Sequence, residues 1–328
     1  MPGAEARIAG GADGGSVIEY AQTIRARQER GMKAVWRRRG ARAMPRIPAV
    51  ALLALVSGAS AANAVGEIPA ARFSIAYSLS FLNLRVGEAT LALERADARY
   101  ALEVEAGLRG LAGFFLDGTG KAVVAGALGR NGAATATFRL DSRYAGKPVS
   151  VVLDLAGGRV RSATVEPPPA PRPDRVPVAP EDRVGVVDPL TMLMIPTGPS
   201  ALEPGLCDRR IAVFDGATRA DLVLSRGSVL TVTEGAYRGP ALDCRVRWVP
   251  ISGHRAQGAN VRRMAESDDL HVRFAPVADG TLLLPLSIAV ATGWGTLRID
   301  ATRWGDAAPV SPAAADRANV KVRLPNAR

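Results

Sequence analysis

From residue 72 onward the chain alternates apolar and polar residues with a period of two, which admits little except β-structure. Phe73, Ile75, Tyr77, Leu79 and Phe81 fall on one side of an extended segment, with Ser74, Ala76, Ser78 and Ser80 on the other. One apolar face backed by one small polar face is the signature of an antiparallel sheet with a single buried side. The pattern recurs in LRVGEATLALER, where Gly87 marks a turn or bulge. It recurs again in YALEVEAGL, with Tyr100, Leu102 and Val104 in phase, and around 121–125. Asn131-Gly132 signals a hairpin before ATATFRLDS, Gly146-Lys147 precedes PVSVVLDL, and Gly157-Gly158 leads into RVRSATVE. Further strands are expected at 209–215, 219–225, 228–234, 241–249, 269–275, 283–291 and 295–302.

Two segments break the pattern. Residues 167–180, PPPAPRPDRVPVAP, hold seven prolines, which bars a central strand or a helix and predicts a long surface loop. After it, Asp188 suits an N-cap, Pro189 a first helical position and LTMLMI a short helix that Pro196 stops. The prediction is a mainly β fold: an antiparallel, strongly curved sheet forming a barrel or open half-barrel, with one short helix. It occupies residues 65–304 as a single domain, followed by a flexible tail, 305–328, in which NVKVRL reads as a marginal strand.

The N-terminal region reads differently. Lys33, Arg37, Arg38, Arg39, Arg42 and Arg46 precede the ten-residue apolar run Ile47 to Val56, and SGASAANA follows. A basic segment, a short apolar run and small residues form an export signal over about 32–64, cleaved after Ala61 or, preferably, Ala64. The run is shorter than the roughly 20 residues a bilayer-spanning helix needs, so no transmembrane span is expected in the mature form. Ordinary secretion fits the flanking residues better than twin-arginine export. Residues 1–31 lack leader character and read as an upstream extension, which leaves Met1 and Met32 both open as the start. A periplasmic protein is expected.

Export bears on the charge. Residues 1–64 contribute +6 of the formal +11, and the remaining basic residues are scattered arginines rather than a stripe, which argues against nucleic-acid binding. It bears also on Cys207 and Cys244, the only two cysteines. In an oxidising compartment they favour one structural disulfide, worth about 3–4 kcal/mol by loop-closure entropy. Cys244 alternates in phase with Leu242, Val246 and Trp248, so it should face the core.

Two histidines and two cysteines give no metal-ligand spacing, and no nucleotide, metalloprotease or nucleophile-elbow motif is present, so no metal or cofactor is expected. His254, in the loop PISGH, is a candidate polar anchor or general base, with Ser252 or Asp243 as the partner a hydrolase would need. Arg245 and Arg247 lie two apart on one strand face and are candidate contacts for an anionic head group, with Arg209 as a third candidate. Cross-strand ion pairs explain these arginines equally well. Asp215, Asp221 and the pair Asp268-Asp269 fit turns and strand entrances.

CDRRIAVFDGATRADLVL, YRGPALDCRVRWVPISGH, MAESDDLHVRFAPV, DPLTMLM and GWGTLRIDATRW together resemble the exported proteobacterial proteins classed as domain of unknown function 3108. The resemblance runs from about residue 70 to 304. It implies an exported, mostly β protein with no established enzymatic activity and no catalytic residues to transfer. The implied shape is similar to curved-sheet periplasmic proteins such as lipoprotein carriers, which hold acyl chains in an open barrel.

Three functions follow as expectations. The first is a non-enzymatic periplasmic protein binding a lipid or other amphipathic envelope ligand in its curved sheet. The second is a structural protein supporting the envelope by docking a protein or cell-wall partner, which an exposed edge strand or apolar patch would favour. The third is a hydrolase using His254.

Overall fold

The computed structural model describes residues 71–96, 98–108, 118–129, 132–197, 202–277, 280–292 and 295–305. The expected export signal and the NVKVRL strand lie outside the described residues. Seven strands come first: β1 (Ala71–Phe81), β2 (Leu84–Ala96), β3 (Arg99–Leu108), β4 (Gly118–Gly129), β5 (Gly132–Tyr144), β6 (Lys147–Ala156) and β7 (Arg159–Glu166). After the proline-rich loop come β8 (Ile195–Pro196), β9 (Arg209–Phe214), β10 (Arg219–Val232) and β11 (Gly239–Ser252). The helix α1 (Ala259–Glu266) and the strands β12 (Leu270–Pro276), β13 (Leu282–Thr292) and β14 (Gly295–Gly305) complete the order.

All strands join one antiparallel sheet in the order β7-β6-β5-β4-β3-β2-β1-β14-β13-β12-β11-β10-β9, with β8 attached to β13. The expected mainly β, curved antiparallel architecture is therefore what the chain adopts. β7 and β9 do not pair with each other, so the strands alone do not close a barrel. Residues 184–187 run between these edges instead. Val184 bridges Arg159, and the Val186 N–H donates to the Gly158 carbonyl at 3.1 Å. On the other side the Val187 N–H donates to Ala212 at 2.8 Å, and the Phe214 N–H to Val187 at 3.0 Å.

Two cores result. In the first, Ile75, Leu91, Leu102, Val124, Phe138 and Leu153 line one face of β1–β6, and Val186, Leu190 and Met194 from the connection after the proline-rich loop pack with them. The second holds Ile195, Cys207, Leu242, Cys244, Phe274 and Leu283. Leu282 and Leu284 belong to the first core and Leu283 to the second, so the start of β13 is buried on both sides. Its run of consecutive leucines, LLL, is what such a position requires.

Two local readings are corrected. Asp188-Pro189 opens no α-helix, only a 3-10 turn at Thr191–Leu193. The Asp188 carboxylate accepts the Leu190 and Thr191 amides, each at 2.9 Å, and Tyr100 Oη lies 2.7 Å from Thr191 Oγ1. Met194 and Ile195 then enter different cores, which a continued helix could not deliver. The α-helix lies instead at Ala259–Glu266, where Val261 and Met264, three apart, cover Trp248 and Ala220. The strands expected at 219–225 and 228–234 form one strand, β10, with a register shift between Ser225 and Ser228. There Gly227 admits the Cys207 turn, since a Cβ would lie 2.1 Å from the Pro204 carbonyl oxygen.

Cys207 and Cys244 form the disulfide, with Cα atoms 5.6 Å apart and a sequence separation of 37. Replacing both by Ala should lower the unfolding free energy by about 3–4 kcal/mol, measured by urea denaturation. Burial pushes the Asp188 carboxyl above the ordinary carboxylate range, its hydrogen bonds opposing this only in part. The folded protein therefore holds a proton that the unfolded chain releases sooner, and stability falls as pH rises past the ordinary value of about 4 until the folded group ionises. Asp188→Asn should flatten that decline in urea midpoints, whereas wild type should lose stability between acid and neutral pH.

Candidate functional site

The residues singled out in the sequence do not converge. His254 is 8% exposed, and its loop is clamped by the proline-rich segment. The Val176 N–H donates to the His254 carbonyl at 2.9 Å, the Gly253 N–H donates to Val176 at 2.8 Å, and the Arg175 guanidinium donates to the Gly253 carbonyl. Neighbouring Ser252 is buried and its hydroxyl makes no hydrogen bond. Asp243 lies nine residues back along β11, roughly 30 Å away at strand rise. It is engaged by Arg273 at 3.3 Å and faces His271 at 3.9 Å. Neither of the two expected partners, Ser252 and Asp243, hydrogen-bonds His254.

Arg245 and Arg247 share the face of β11 opposite Cys244, Val246 and Trp248, as the alternation requires. Among the described residues neither forms an ion pair. Arg245 lies in register between Ser225 and His271, and Arg247 beside Val223. The paired arginines are others: Arg210 and Arg219 both hold the buried Asp221 carboxylate. Arg209 donates to the Leu206 carbonyl at 2.6 Å. Asp215 caps its turn, accepting the Ala217 and Thr218 amides at 2.9 and 2.7 Å.

A cleft of about 1000 Å³ crosses β1–β7. Its lining includes Thr90, Glu105, Lys121, Asp141, Ser150 and Glu166, which are successive register partners from β2 to β7. They alternate out of phase with Leu91, Leu102, Val124, Phe138 and Leu153, so the cleft lies on the face away from the first core. Lys121 Nζ sits 2.7 Å from Glu103 and 2.9 Å from Glu105. Its ammonium loses hydration, but these carboxylates leave its pKa above the ordinary lysine value. This cation is already neutralised, so the cleft resembles a solvated charge ladder more than a reactive site.

The core-facing side of the sheet is more informative at its other limit, where the β1–β2 turn lies. Leu84, Phe81, Leu297, Val290 and Leu270 are successive register partners across β2, β1, β14, β13 and β12. Of these only Leu270 packs against a core. Leu84 is 64% exposed and Leu82, in the turn, 59%. Sequence reading placed Phe81 on the apolar face but missed the row. Its signal lies in which residues sit opposite one another, set by a tight turn at Leu82-Asn83, both with positive φ.

The family described as a protein of unknown function (DUF3108) matches residues 72–302, the sheet from its first strand into its last. The chain belongs to the DUF3108 family. Its description assigns no activity, so membership confirms the resemblance without transferring a site. No curated protein matches the chain. Among solved structures, a beta-barrel-like protein of domain of unknown function DUF1849 from Brucella abortus is 8% identical, with a TM-score of 0.44. The match covers 74% of this chain and 100% of that one. Among the described residues no three metal-ligating side chains cluster, and no helix is long and apolar enough to cross a membrane.

The His254 loop depends on Gly253, whose φ is +80° and where a Cβ would lie 2.0 Å from the Ala217 carbonyl oxygen. Gly253→Ala should cost more than about 2 kcal/mol, read as a lowered thermal midpoint with the disulfide intact.

Proposed function

We propose that this DUF3108 protein is an exported, non-enzymatic binding protein that holds an amphipathic envelope ligand against its apolar rim. The observation that carries the reading is the row Leu84–Phe81–Leu297–Val290–Leu270, continuous across five strands and largely outside both cores. Each exposed leucine forfeits on the order of 1.5–3 kcal/mol that covering would recover, so an acyl chain laid along the row gains what the fold leaves unused. The seat is the rim and not the deeper core-facing surface, because Val186, Leu190 and Met194 already cover the latter. Export is supported by the leader-like residues 32–64, and a soluble carrier of apolar cargo suits an aqueous compartment.

A second reading, docking of a protein partner, is favoured by β7. Among the described residues this strand pairs with β6 alone, and beyond the Arg159–Val184 bridge they leave its outer edge open to strand addition. The register shift between Asp154 and Leu155, opposite Arg161, bends and blunts that edge.

The rim reading is tested by native mass spectrometry of protein purified from an exporting host and incubated with dodecylphosphocholine. Wild type should retain one amphiphile, and Leu84→Asn combined with Leu297→Asn should weaken retention at least tenfold with an unchanged circular dichroism spectrum. Equal retention by wild type and variant, or none by wild type, refutes it.

A further inference from the structure

On the side of the sheet opposite the apolar row, one position along each strand, a second row runs in register: Arg85, Ser80, Arg298, Ala289, His271 and Arg245. Each member is the chain neighbour of an apolar one: 85 beside Leu84, 80 beside Phe81, 298 beside Leu297, 289 beside Val290, 271 beside Leu270 and 245 beside Val246. The row holds three arginines and a histidine and no acid. From β2 to β11 it spans five strand spacings, roughly 24 Å.

The neighbouring row on the same face carries the nearby acids. Glu88 pairs with Arg85 at 3.1 Å. Asp243 is engaged by Arg273 and His271, and Asp300 is exposed two residues beyond Arg298, opposite Ser78 and Ser287. Asp268 and Asp269 stand at the entrance of β12 and bound the surface on that side. Arg298 is exposed, Arg245 is half-buried, and neither has an ion-pair partner among the described residues. Two guanidiniums without an ion pair among the described residues thus lie in register with the end of the sheet that carries the exposed Leu82/Leu84 tip, Arg298 near that end and Arg245 within β11.

We infer that this end docks on a bilayer surface bearing anionic head groups, the leucine tip entering the interface while Arg298 and Arg245 meet the phosphates. The inference rests on the rim reading and deepens it, because it gives the acyl ligand an anionic membrane as its source. Charge complementarity selects this occupant over a neutral apolar surface: a neutral partner would leave Arg298 and Arg245 without an ion pair. The arrangement also accounts for Arg245, a candidate from sequence whose same-face neighbour Asp243 is engaged by Arg273 and His271 instead.

The test uses protein purified from an exporting host, with its intact mass defining the N-terminus, since residues 1–64 carry ten basic residues of their own. Cosedimentation is measured with vesicles of equal parts phosphatidylglycerol and phosphatidylcholine and with phosphatidylcholine alone. Each arginine near an anionic surface is worth about fivefold in partitioning, so Arg245→Gln with Arg298→Gln should weaken binding to the anionic vesicles more than tenfold. Raised salt should weaken wild type in the same direction. These exposed or half-buried arginines make no ion pair, so the variant should keep its fold and its dodecylphosphocholine adduct. Leu82→Asn with Leu84→Asn should weaken both readouts. Equal binding of wild type to both vesicle types, or unchanged binding of the arginine variant, overturns the inference. Wild type that retains dodecylphosphocholine but ignores vesicles overturns the docking and leaves the rim reading standing. Wild type that retains neither overturns both.

Discussion

A sheet this wide must manage two edges, and the hydrogen bonds of residues 184–187 tie one end of the β7 edge to β9. Val187 gives its N–H to the β9 edge and accepts from Phe214, while Val184 and Val186 meet β7 and its preceding turn. The same strand-like passage carries Val186, and then Leu190 and Met194, into the first core. Closure and filling are thus one event: the segment that joins the edges also covers the apolar face between them. Asp188 fastens it through two backbone amides and Thr191, which reaches the Tyr100 hydroxyl. A buried carboxylate with that many donors is tolerable, but its raised pKa shows that desolvation still exceeds what the donors return.

Much of the sheet was legible because period-two alternation is a local property. Phe73, Ile75 and Tyr77 are buried as their phase predicts, and so are Tyr100 and Leu102. The glycine pair 157–158 lies in a turn with positive φ at both positions. What was not legible depended on contacts distant in sequence. Gly87 was read as a turn or bulge; the turn is at Leu82-Asn83, and Gly87 adjoins a bulge where a Cβ would lie 2.6 Å from the Gly107 carbonyl oxygen. The helical reading of LTMLMI failed because its apolar residues serve two cores on different sides. The short helix ANVRRMAE was missed because it offers just one turn of apolar residues, Val261 and Met264, to a Trp248 that only the fold brings near.

The candidate site divides in the same way. The disulfide partners were identifiable from composition and phase. His254 drew notice as a rare residue, but its carbonyl and its neighbour Gly253 are engaged in holding the proline-rich loop. Arg245 gains meaning only through the cross-strand row that includes Arg298, more than fifty positions away. Neither the apolar nor the cationic row exists in any single strand. Each is written one residue per strand, perpendicular to the chain, which is why the order of the sheet had to be known first.

The pairing of β1 with β14 has a consequence for how the protein is made. β1 through β7 form an up-and-down meander whose contacts are local, and such a unit can zip up hairpin by hairpin as it emerges. Its innermost strand, however, keeps an unpaired edge until a segment more than two hundred residues later arrives, since Ser74 awaits Gly305 and Phe81 awaits Leu297. Until then the longest stretch of alternating apolar residues in the chain stands as an open template for intermolecular pairing. The last strand therefore acts as the chain's own protection against aggregation, and any delay in its arrival lengthens the interval in which an early-folded half is exposed.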